Sequence, residues 1–258
     1  MPDLIFIFIM GLLVGSFLNV CIYRIPVAQS ITYPPSHCTN CKTRLKPIDL
    51  IPIFSYLFCK GKCKYCEDKI SPQYPFIEIL NGFIYILIFI IFGYSLNFMF
   101  YCIFSSLLLV IGVIDYKHTV IPDGLIIFGL ITNLIYRLLL SLFLKSKILW
   151  SDSVLGLLIG GGFFLLIAII FDGGMGGGDI KLMGMLGFFL GLEKIITVVF
   201  LSFFIGAIFT FPLLLLKKKS RKDIIPFGPF IALSALTTML YYHELLNLYF
   251  KIVWTPLP

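Results

Sequence analysis

Charged side chains are scarce in this chain of 258 residues. Asp, Glu, Lys and Arg make up 13% of it, whereas a soluble globular domain carries about 25%. Hydrophobic residues account for 59%, and the mean hydropathy is +1.02. This balance excludes an ordinary soluble domain and predicts a polytopic membrane protein.

Motifs of several common enzyme classes are also absent from the sequence. His37, His118 and His243 show no metal-binding spacing, and no Ser-His-Asp pattern is present. There is no Gly-x-Gly-x-x-Gly loop, which is the phosphate-binding fingerprint of a Rossmann domain. The sequence therefore gives no reason to expect serine or cysteine catalysis, or a cofactor domain of the Rossmann type.

Long apolar runs are what the sequence has instead. Leu4 to Tyr23 is an uncharged run of 20 residues, and a helix needs about 20 apolar residues to cross a bilayer. No basic region precedes it and no small-residue cleavage site follows, so we predict a membrane span and not a signal peptide. Further apolar stretches lie at about residues 77–96, 98–114, 124–144, 153–171, 180–192, 195–216 and 227–249. We expect an all-α membrane protein with about eight transmembrane helices.

The distribution of basic residues predicts the orientation of these helices. The sixth stretch has only 11 apolar residues, from Leu182 to Leu192, a length that often marks a re-entrant or buried segment. With eight crossings and the N-terminus outside, 15 of the 20 Lys and Arg residues lie on the cytoplasmic side, as the positive-inside rule requires. If the sixth segment did not cross, the cluster Lys217–Lys222 would face outward. The charges thus favour eight crossings, and the net charge of +7 needs no nucleic-acid partner to explain it.

A polar, basic and proline-rich segment, residues 25–75, follows the first span. It contains two Cys-x-x-Cys pairs with 21 residues between them, a pattern in which two turns each supply two thiolates to one zinc ion. We predict a structural zinc site at Cys38, Cys41, Cys63 and Cys66. A disulfide framework is the alternative, but the segment is predicted to face the cytoplasm, where thiols stay reduced. Because a segment of this size builds little core, a bound metal would supply the missing stability.

Two aspartates stand at the ends of apolar stretches, where a carboxylate is costly and is therefore a functional candidate. Asp115 ends the run Leu107–Ile114, and Asp179 follows the glycine-rich segment Gly173–Gly178. Asp179 could instead be a helix N-cap. Asp115 lies near a helix C-terminus, where the helix dipole disfavours its negative charge, and a pairing with Lys117 could offset that effect. The predicted topology places both at the cytoplasmic face. If they meet, one carboxylate could activate water while its protonated partner polarises a peptide carbonyl, which is the chemistry of aspartic proteolysis.

Recognisable motifs surround both aspartates. They are Ile114-Asp115-Tyr116 with Ile121-Pro122-Asp123, and Gly176-Gly177-Gly178-Asp179-Ile180-Lys181-Leu182. Earlier in the chain stand Gly15-Ser16-Phe17-Leu18-Asn19-Val20, Arg24-Ile25-Pro26, the cysteine segment and Tyr74-Pro75-x-x-Glu78. In this order the motifs resemble those of type IV prepilin peptidases, which are membrane aspartic proteases of the GxGD type. The resemblance covers most of the chain up to about residue 190.

The resemblance implies an enzyme of the bacterial inner membrane with two reactions. It would cleave the basic leader of type IV prepilins or pseudopilins with the dyad Asp115 and Asp179, and then methylate the new N-terminal amine with S-adenosylmethionine. Asp123 is the competing candidate for the first position, although its place before the next span favours an N-cap. Glu78 is the candidate contact for the methyl donor, because an acid near the start of an apolar span could hold an amine or a ribose hydroxyl. A favourable charge in the first helical turn is the alternative for Glu78.

The expected organisation has three parts. Residues 1–24 form the first transmembrane helix, residues 25–75 a cytoplasmic zinc-binding region associated with methylation, and residues 76–258 the peptidase helices. Prepilins or pseudopilins and membrane lipids are the expected partners. The rival interpretation is a transporter or channel whose membrane aspartates bind ions or relay protons, with a regulatory zinc module. It explains the buried acids but not the two aspartate motifs.

Overall fold

A computed structural model describes residues 2–144, 150–172, 174–215 and 225–254. These residues form helices and connecting loops, with two isolated β-bridges and no β-strand. The α-helices are α1 (Pro2–Arg24), α2 (Phe54–Phe58), α3 (Gln73–Phe92), α4 (Leu96–His118), α5 (Asp123–Leu144), α6 (Trp150–Ile170), α7 (Gly177–Leu190), α8 (Leu192–Leu215) and α9 (Gly228–Trp254). The predicted all-α fold is confirmed.

Eight of these helices correspond to the eight predicted apolar stretches, and the short α2 is the exception. Among the described residues, α1, α3, α4, α5, α6 and α8 are long and apolar enough to cross a membrane. With 14 residues, α7 is about 21 Å long, less than the bilayer core of about 30 Å. The full crossings by α7 and α9, which are not among these six, and the orientation of the helices therefore stay predictions. The basic cluster Lys217–Lys222, on which the orientation depends, lies outside the described residues.

The chain divides into two compact units, residues 1–110 and 111–258, and the division falls within α4. The first unit holds α1, the cysteine-containing loop with α2, and α3. The second unit holds the end of α4 and the helices from α5 to α9. The finer three-part organisation stays a prediction.

In the first unit, glycines allow α1 and α3 to pack closely. A Cβ atom on Gly11 would lie 2.6 Å from the Cα atom of Gly82, and one on Gly15 would lie 2.7 Å from the Cα atom of Glu78. The side chain of Asn81 adds a hydrogen bond to the carbonyl of Gly11, at 2.8 Å. Small residues with interhelical hydrogen bonds are the usual means of helix association in a membrane. They fix the position of Glu78 against α1.

In the second unit, α7 is the central helix. Its side chains Leu182, Met183, Met185 and Leu186 are buried, and it contacts α5, α6, α8 and α9. A helix that is apolar around its whole circumference belongs in the interior. The short helix α7 is therefore buried among longer helices.

Glycines of α6 allow its backbone to approach α7. The sequence predicts close helix packing at Gly156, Gly160, Gly161 and Gly162. The prediction is confirmed for the first three: a Cβ atom on Gly156 would collide with the backbone of Gly187, and the other two face the α7 backbone. It is wrong for Gly162, because nothing lies within 4 Å of the Cβ position there.

Two polar side chains hold the C-terminal end of α7. The guanidinium of Arg137 donates to the carbonyls of Phe188 at 3.2 Å and Phe189 at 3.3 Å, in the last turn of α7, where helix carbonyls generally need donors from outside the helix. Asp152 accepts the N–H of Leu192 at 3.0 Å, at the first residue of α8, as a capping residue does. These bonds fix the end of α7 opposite its glycine-rich start.

The variant Gly156→Val is expected to destabilise the protein, because its side chain would force α6 and α7 apart. Overpacking of this kind costs about 1–3 kcal/mol. Gly162→Val is the matched control, with the same β-branched side chain on the same helix but open space around it. Thermal unfolding of the purified protein in detergent should show a clearly lower midpoint for Gly156→Val only. Equal midpoints for the two variants would contradict the close packing.

Candidate active site

Asp115 is a buried carboxylate near the end of α4, with 5% of its surface exposed. Its Oδ2 atom accepts the backbone N–H of Gly228 at 2.8 Å. Gly228 is the first residue of α9, and the N-terminus of a helix favours a negative charge. The start of α9 thus offsets the unfavourable dipole at the end of α4.

The sequence leaves two alternatives open for this position. One is an ion pair between Asp115 and Lys117, and the other is Asp123 as the functional carboxylate of the first motif. No ion pair joins Lys117 to Asp115 among the described residues. Asp123 is the first residue of α5 and is exposed, and its carboxylate binds the ammonium group of Lys181 at 2.7 Å. Of the two aspartates in the first motif, Asp115 is therefore the buried one.

Asp179 is the third residue of α7 and is 9% exposed. The N-cap position belongs to Gly176, so the alternative that Asp179 is the N-cap is wrong. A backbone hydrogen bond from Gly176 reaches the carboxyl of Asp179, but its Oδ1 atom is buried and has no hydrogen-bond partner among the described residues. A buried polar atom of this kind is costly unless a further group binds it.

The structure brings the two aspartates together. The two carboxyls are near enough for a Coulombic interaction, and the loop after α4 contacts the start of α7. Ile121, in the loop after α4, packs against the start of α7, where a Cβ atom on Gly178 would lie 2.9 Å from the Cβ atom of Ile121. A glycine before Asp179 thus allows α7 to begin next to the end of α4.

The four cysteines form a second cluster, in the first unit. Their Sγ atoms lie within 4.8 Å of one another, and Cys38 Sγ lies 3.8 Å from Cys66 Sγ. Tetrahedral zinc with Zn–S bonds of about 2.3 Å holds its sulfurs about 3.8 Å apart, so the donor set and its spacing fit one zinc ion. The cysteines are free thiols, and the alternative of a disulfide framework is not seen.

Two turns of the same geometry present these thiols. In one turn the N–H of Lys42 bonds to the carbonyl of Cys38 at 3.0 Å, and in the other the N–H of Glu67 bonds to the carbonyl of Cys63 at 2.9 Å. Lys42 and Glu67 have left-handed backbone conformations, with φ of 58° and 60°. The repeated turn explains why each pair needs the Cys-x-x-Cys spacing.

One thiol of each turn is disposed to ionise. Hydrogen bonds with Thr43, through its side chain and its backbone, lower the pKa of Cys41 to about 6. A backbone hydrogen bond from Tyr65 lowers the pKa of Cys63 below its ordinary value. The thiolate is the form that binds metal, so one cysteine of each turn is disposed to the ligand form. A backbone hydrogen bond with Asp68 lowers the pKa of Cys66, but burial and hydrogen bonds with the other three thiols outweigh it and raise that pKa to about 12.

Glu78 is buried between α1 and α3, and its carboxylate is engaged by the protein's own loop. Its Oε2 atom accepts the N–H of Ile53 at 2.8 Å, and the side chain of Ser16 also hydrogen-bonds to it. Ile53 has φ of 63° and ψ of −53°, and the N–H of Phe54 bonds back to the carbonyl of Pro52. This is a γ-turn, a strained conformation for a β-branched residue. Glu78 therefore holds a strained turn, and its contact with a cofactor stays a prediction.

Known proteins similar to this chain identify its family. Residues 9–92 match the bacterial peptidase A24 N-terminal domain, and residues 102–211 match the type IV leader peptidase family. The chain is 38% identical over 245 residues to the prepilin leader peptidase/N-methyltransferase of Bacillus subtilis. The matched region covers 95% of this chain and 97% of that protein. This chain belongs to the prepilin leader peptidase/N-methyltransferase family.

Other relatives with the same name extend the match. The protein of Stutzerimonas stutzeri is 30% identical, with 90% of this chain and 89% of the relative covered. The protein of Pseudomonas putida is 27% identical, with 92% and 90% covered. No solved structure matches the chain. The resemblance of the motifs to type IV prepilin peptidases is confirmed, and the apolar helices and relatives make the chain a multi-pass inner membrane protein.

Gly228 is a site residue that the family motifs near the aspartates do not predict. A Cβ atom on Gly228 would lie between 2.7 and 3.0 Å from three side-chain atoms of Asp115. The signal that could have identified it is Pro226-Phe227-Gly228-Pro229, in which a proline at the first helical positions marks a helix start. That pattern predicts where α9 begins, but not which side chain accepts its first N–H.

The variant Gly228→Ala is expected to lower the stability of the second unit, because its methyl group would displace the carboxylate of Asp115 from its N–H donor. Leaving such a buried group unsatisfied costs about 1–3 kcal/mol. Gly124→Ala, in the first turn of α5 with nothing within 4 Å of its Cβ position, is the control. Thermal unfolding in detergent measures both. An unchanged midpoint for Gly228→Ala would show that Asp115 does not need this contact.

Proposed function

We propose that this protein cleaves the leader peptide of type IV prepilins or pseudopilins and then methylates the new N-terminal amine with S-adenosylmethionine. The observation that carries the proposal is the pair of buried carboxyls, Asp115 at the end of α4 and Asp179 at the start of α7. Relatives that match nearly the whole chain are named prepilin leader peptidase/N-methyltransferase, and this name supplies both reactions.

In the proposed mechanism the two aspartates divide the work of an aspartic protease. One carboxylate accepts a proton from water as that water attacks the scissile carbonyl, and the protonated partner donates to the carbonyl oxygen. The tetrahedral intermediate then breaks its C–N bond while a carboxyl proton passes to the leaving amine. The bond from Gly228 orients Asp115. The Oδ1 atom of Asp179 is buried and has no partner among the described residues, so the catalytic water or the substrate would have to enter the site to bind it.

The start of α7 leaves room for a substrate backbone. Gly177, two residues before Asp179, has nothing within 4 Å of its Cβ position. A glycine surface allows an extended peptide to approach more closely than a side chain would. We place the scissile bond beside this surface at the cytoplasmic face, where the basic residues of the sequence predict that the end of α4 and the start of α7 lie.

Asp115→Asn and Asp179→Asn should each abolish leader cleavage, because an amide cannot act as general acid or base. Positioned acid–base groups contribute about 10²- to 10⁴-fold to a rate. Asp123→Asn is the matched control from the same motif, since its carboxylate is exposed and paired with Lys181, and it should keep most of the activity. Processing of a purified prepilin is followed by the change in its mass. Full cleavage by either dyad variant would refute the assignment of the dyad.

We further propose that Cys38, Cys41, Cys63 and Cys66 hold one zinc ion. A site closed by four thiolates is structural, because it leaves no position open for a reacting group. The loop between α1 and α3 has no strand or long helix among its described residues, so the metal would supply much of its folding free energy.

Metal analysis of the purified protein should give one zinc ion per chain for the wild type and much less for Cys38→Ser. Cys59→Ser is the control, because Cys59 lies in the same loop but outside the cluster, and it should retain the metal. Methylation should fall with the metal in Cys38→Ser, while leader cleavage persists. Absence of zinc from the wild type, or equal losses in both variants, would rule out this site.

Glu78 remains the proposed contact for the methyl donor. It is buried in the unit that carries the cysteines, and its carboxylate faces the loop that holds them. Transport of ions or protons, the rival interpretation, is not favoured, because relatives matched over nearly the whole chain are named as peptidases and methyltransferases.

A further inference from the structure

Six large apolar side chains are exposed between residues 48 and 58, on the loop between α1 and α3. We refer to them as the 48–58 patch: Ile48, Leu50, Ile51, Phe54, Leu57 and Phe58. Phe58 is 83% exposed and Leu57 is 63% exposed, and four of the six line an open groove of about 680 Å³. Exposed apolar surface of this extent marks a membrane or binding surface. Neither the aspartate pair nor the cysteine cluster uses it.

The hydrogen bond between Ile53 and Glu78 fixes the depth of this patch. With 20 residues, α3 is about 30 Å long, which matches the bilayer core. Glu78 is the sixth residue of α3, about 7.5 Å along its axis from Gln73. Because the N–H of Ile53 lies 2.8 Å from the carboxylate of Glu78, α2 begins beside the first turns of a membrane helix and not above its end.

Contacts with α1 also place this site beside the body of a membrane helix and not above its end. Ser16, which hydrogen-bonds to Glu78, stands eight residues before the end of α1 at Arg24, or about 12 Å along the axis. The segment that carries the patch therefore turns back beside α1 and α3. At this level its exposed side chains would meet the headgroup and outer acyl region of a bilayer.

Basic side chains follow the patch directly. Lys60, Lys62 and Lys64 are exposed, and Lys64 lies 3.9 Å from a carboxylate oxygen of Asp49. Apolar and aromatic residues next to lysines are typical of segments that lie in a membrane interface, where lysines attract anionic lipids. Asp49 and Glu67 also line the groove, so the three lysines leave it with a small excess of positive charge, which favours an anionic membrane surface.

We propose that the 48–58 patch is a membrane-interface anchor, with Phe54, Leu57 and Phe58 among lipid acyl chains and Lys60, Lys62 and Lys64 at anionic phospholipid headgroups. Glu78 holds the anchor at this depth through the γ-turn at Ile53. The cysteine turns that flank the patch in sequence are then kept at the membrane surface.

Fluorescence quenching tests the depth of the patch in the full-length protein. The chain has only two tryptophans, Trp150 and Trp254, so Trp150→Phe and Trp254→Phe provide a background without tryptophan. Phe58→Trp is placed in this background in nanodiscs of phosphatidylcholine and phosphatidylglycerol. We expect brominated acyl chains to quench its emission at least twofold, and aqueous iodide to quench it weakly. Leu57→Trp is the second probe, in case Phe58→Trp does not fold.

Tyr33→Trp is the matched control on the same loop. Tyr33 is exposed, and its segment is tied to the end of α1, where Arg24 donates to the carbonyl of Ser30 at 2.9 Å. It should respond to iodide more than to brominated lipid. Iodide quenching of Phe58→Trp as strong as that of Tyr33→Trp, without quenching by brominated lipid, would overturn the proposal.

A second measurement tests the lysines and the other possible occupants of the groove. Iodide quenching of Phe58→Trp is compared between nanodiscs with and without phosphatidylglycerol. Replacing all three lysines by Gln should remove any difference between the two. A difference that persists would overturn the role of the lysines. Protection of Phe58→Trp only after addition of S-adenosylmethionine or of a prepilin would identify the groove as a ligand site and overturn the anchor.

Discussion

The hydrogen bond from Gly228 to Asp115 is the interaction on which the candidate active site depends. A carboxylate near the end of α4 faces the negative end of its own helix dipole and is removed from water. The first N–H of α9 supplies the compensating donor at 2.8 Å, and only a glycine leaves space for it. The pairing links residues that are 113 positions apart, so the site requires α9 as well as the two motif-bearing helices.

Burial of α7 is the second condition for the site. Glycines of α6 bring its backbone next to α7, and Arg137 and Asp152 satisfy the backbone groups at its far end. With the helix fixed along its length and at its C-terminus, the position of Asp179 in its first turn is determined. A short central helix among longer ones can thus present a carboxyl from within the protein.

Each unit uses a buried carboxylate to bind a backbone N–H group, either at the start of a helix or in a turn. Asp115 binds the first residue of α9, and Glu78 binds the γ-turn at Ile53. The first contact orients a proposed catalytic group, and the second sets the level of the loop that carries the apolar patch and the cysteines. In a chain with so few acidic residues, these two serve the placement of segments as much as chemistry.

Much of the fold could be predicted, because hydrophobic runs and Cys-x-x-Cys pairs are local patterns. The helices and the cysteine cluster follow from them. Contacts between distant residues could not be predicted: no local pattern pairs Gly228 with Asp115, or Ile53 with Glu78. The N-cap alternative for Asp179 failed because α7 extends two residues further, through Gly177 and Gly178. At Gly162 the packing prediction failed because the helix turns this glycine away from α7, which composition does not reveal.

The central claim is that Asp115 and Asp179 act as one catalytic unit. The most direct test is a double-mutant cycle on leader cleavage, measured in single turnover with excess enzyme so that slow residual rates can be followed. Residues that act as a unit show losses that are far from additive. The account predicts that the Asp115→Asn/Asp179→Asn double variant is no slower than either single variant. Losses that multiply in the double variant would contradict it.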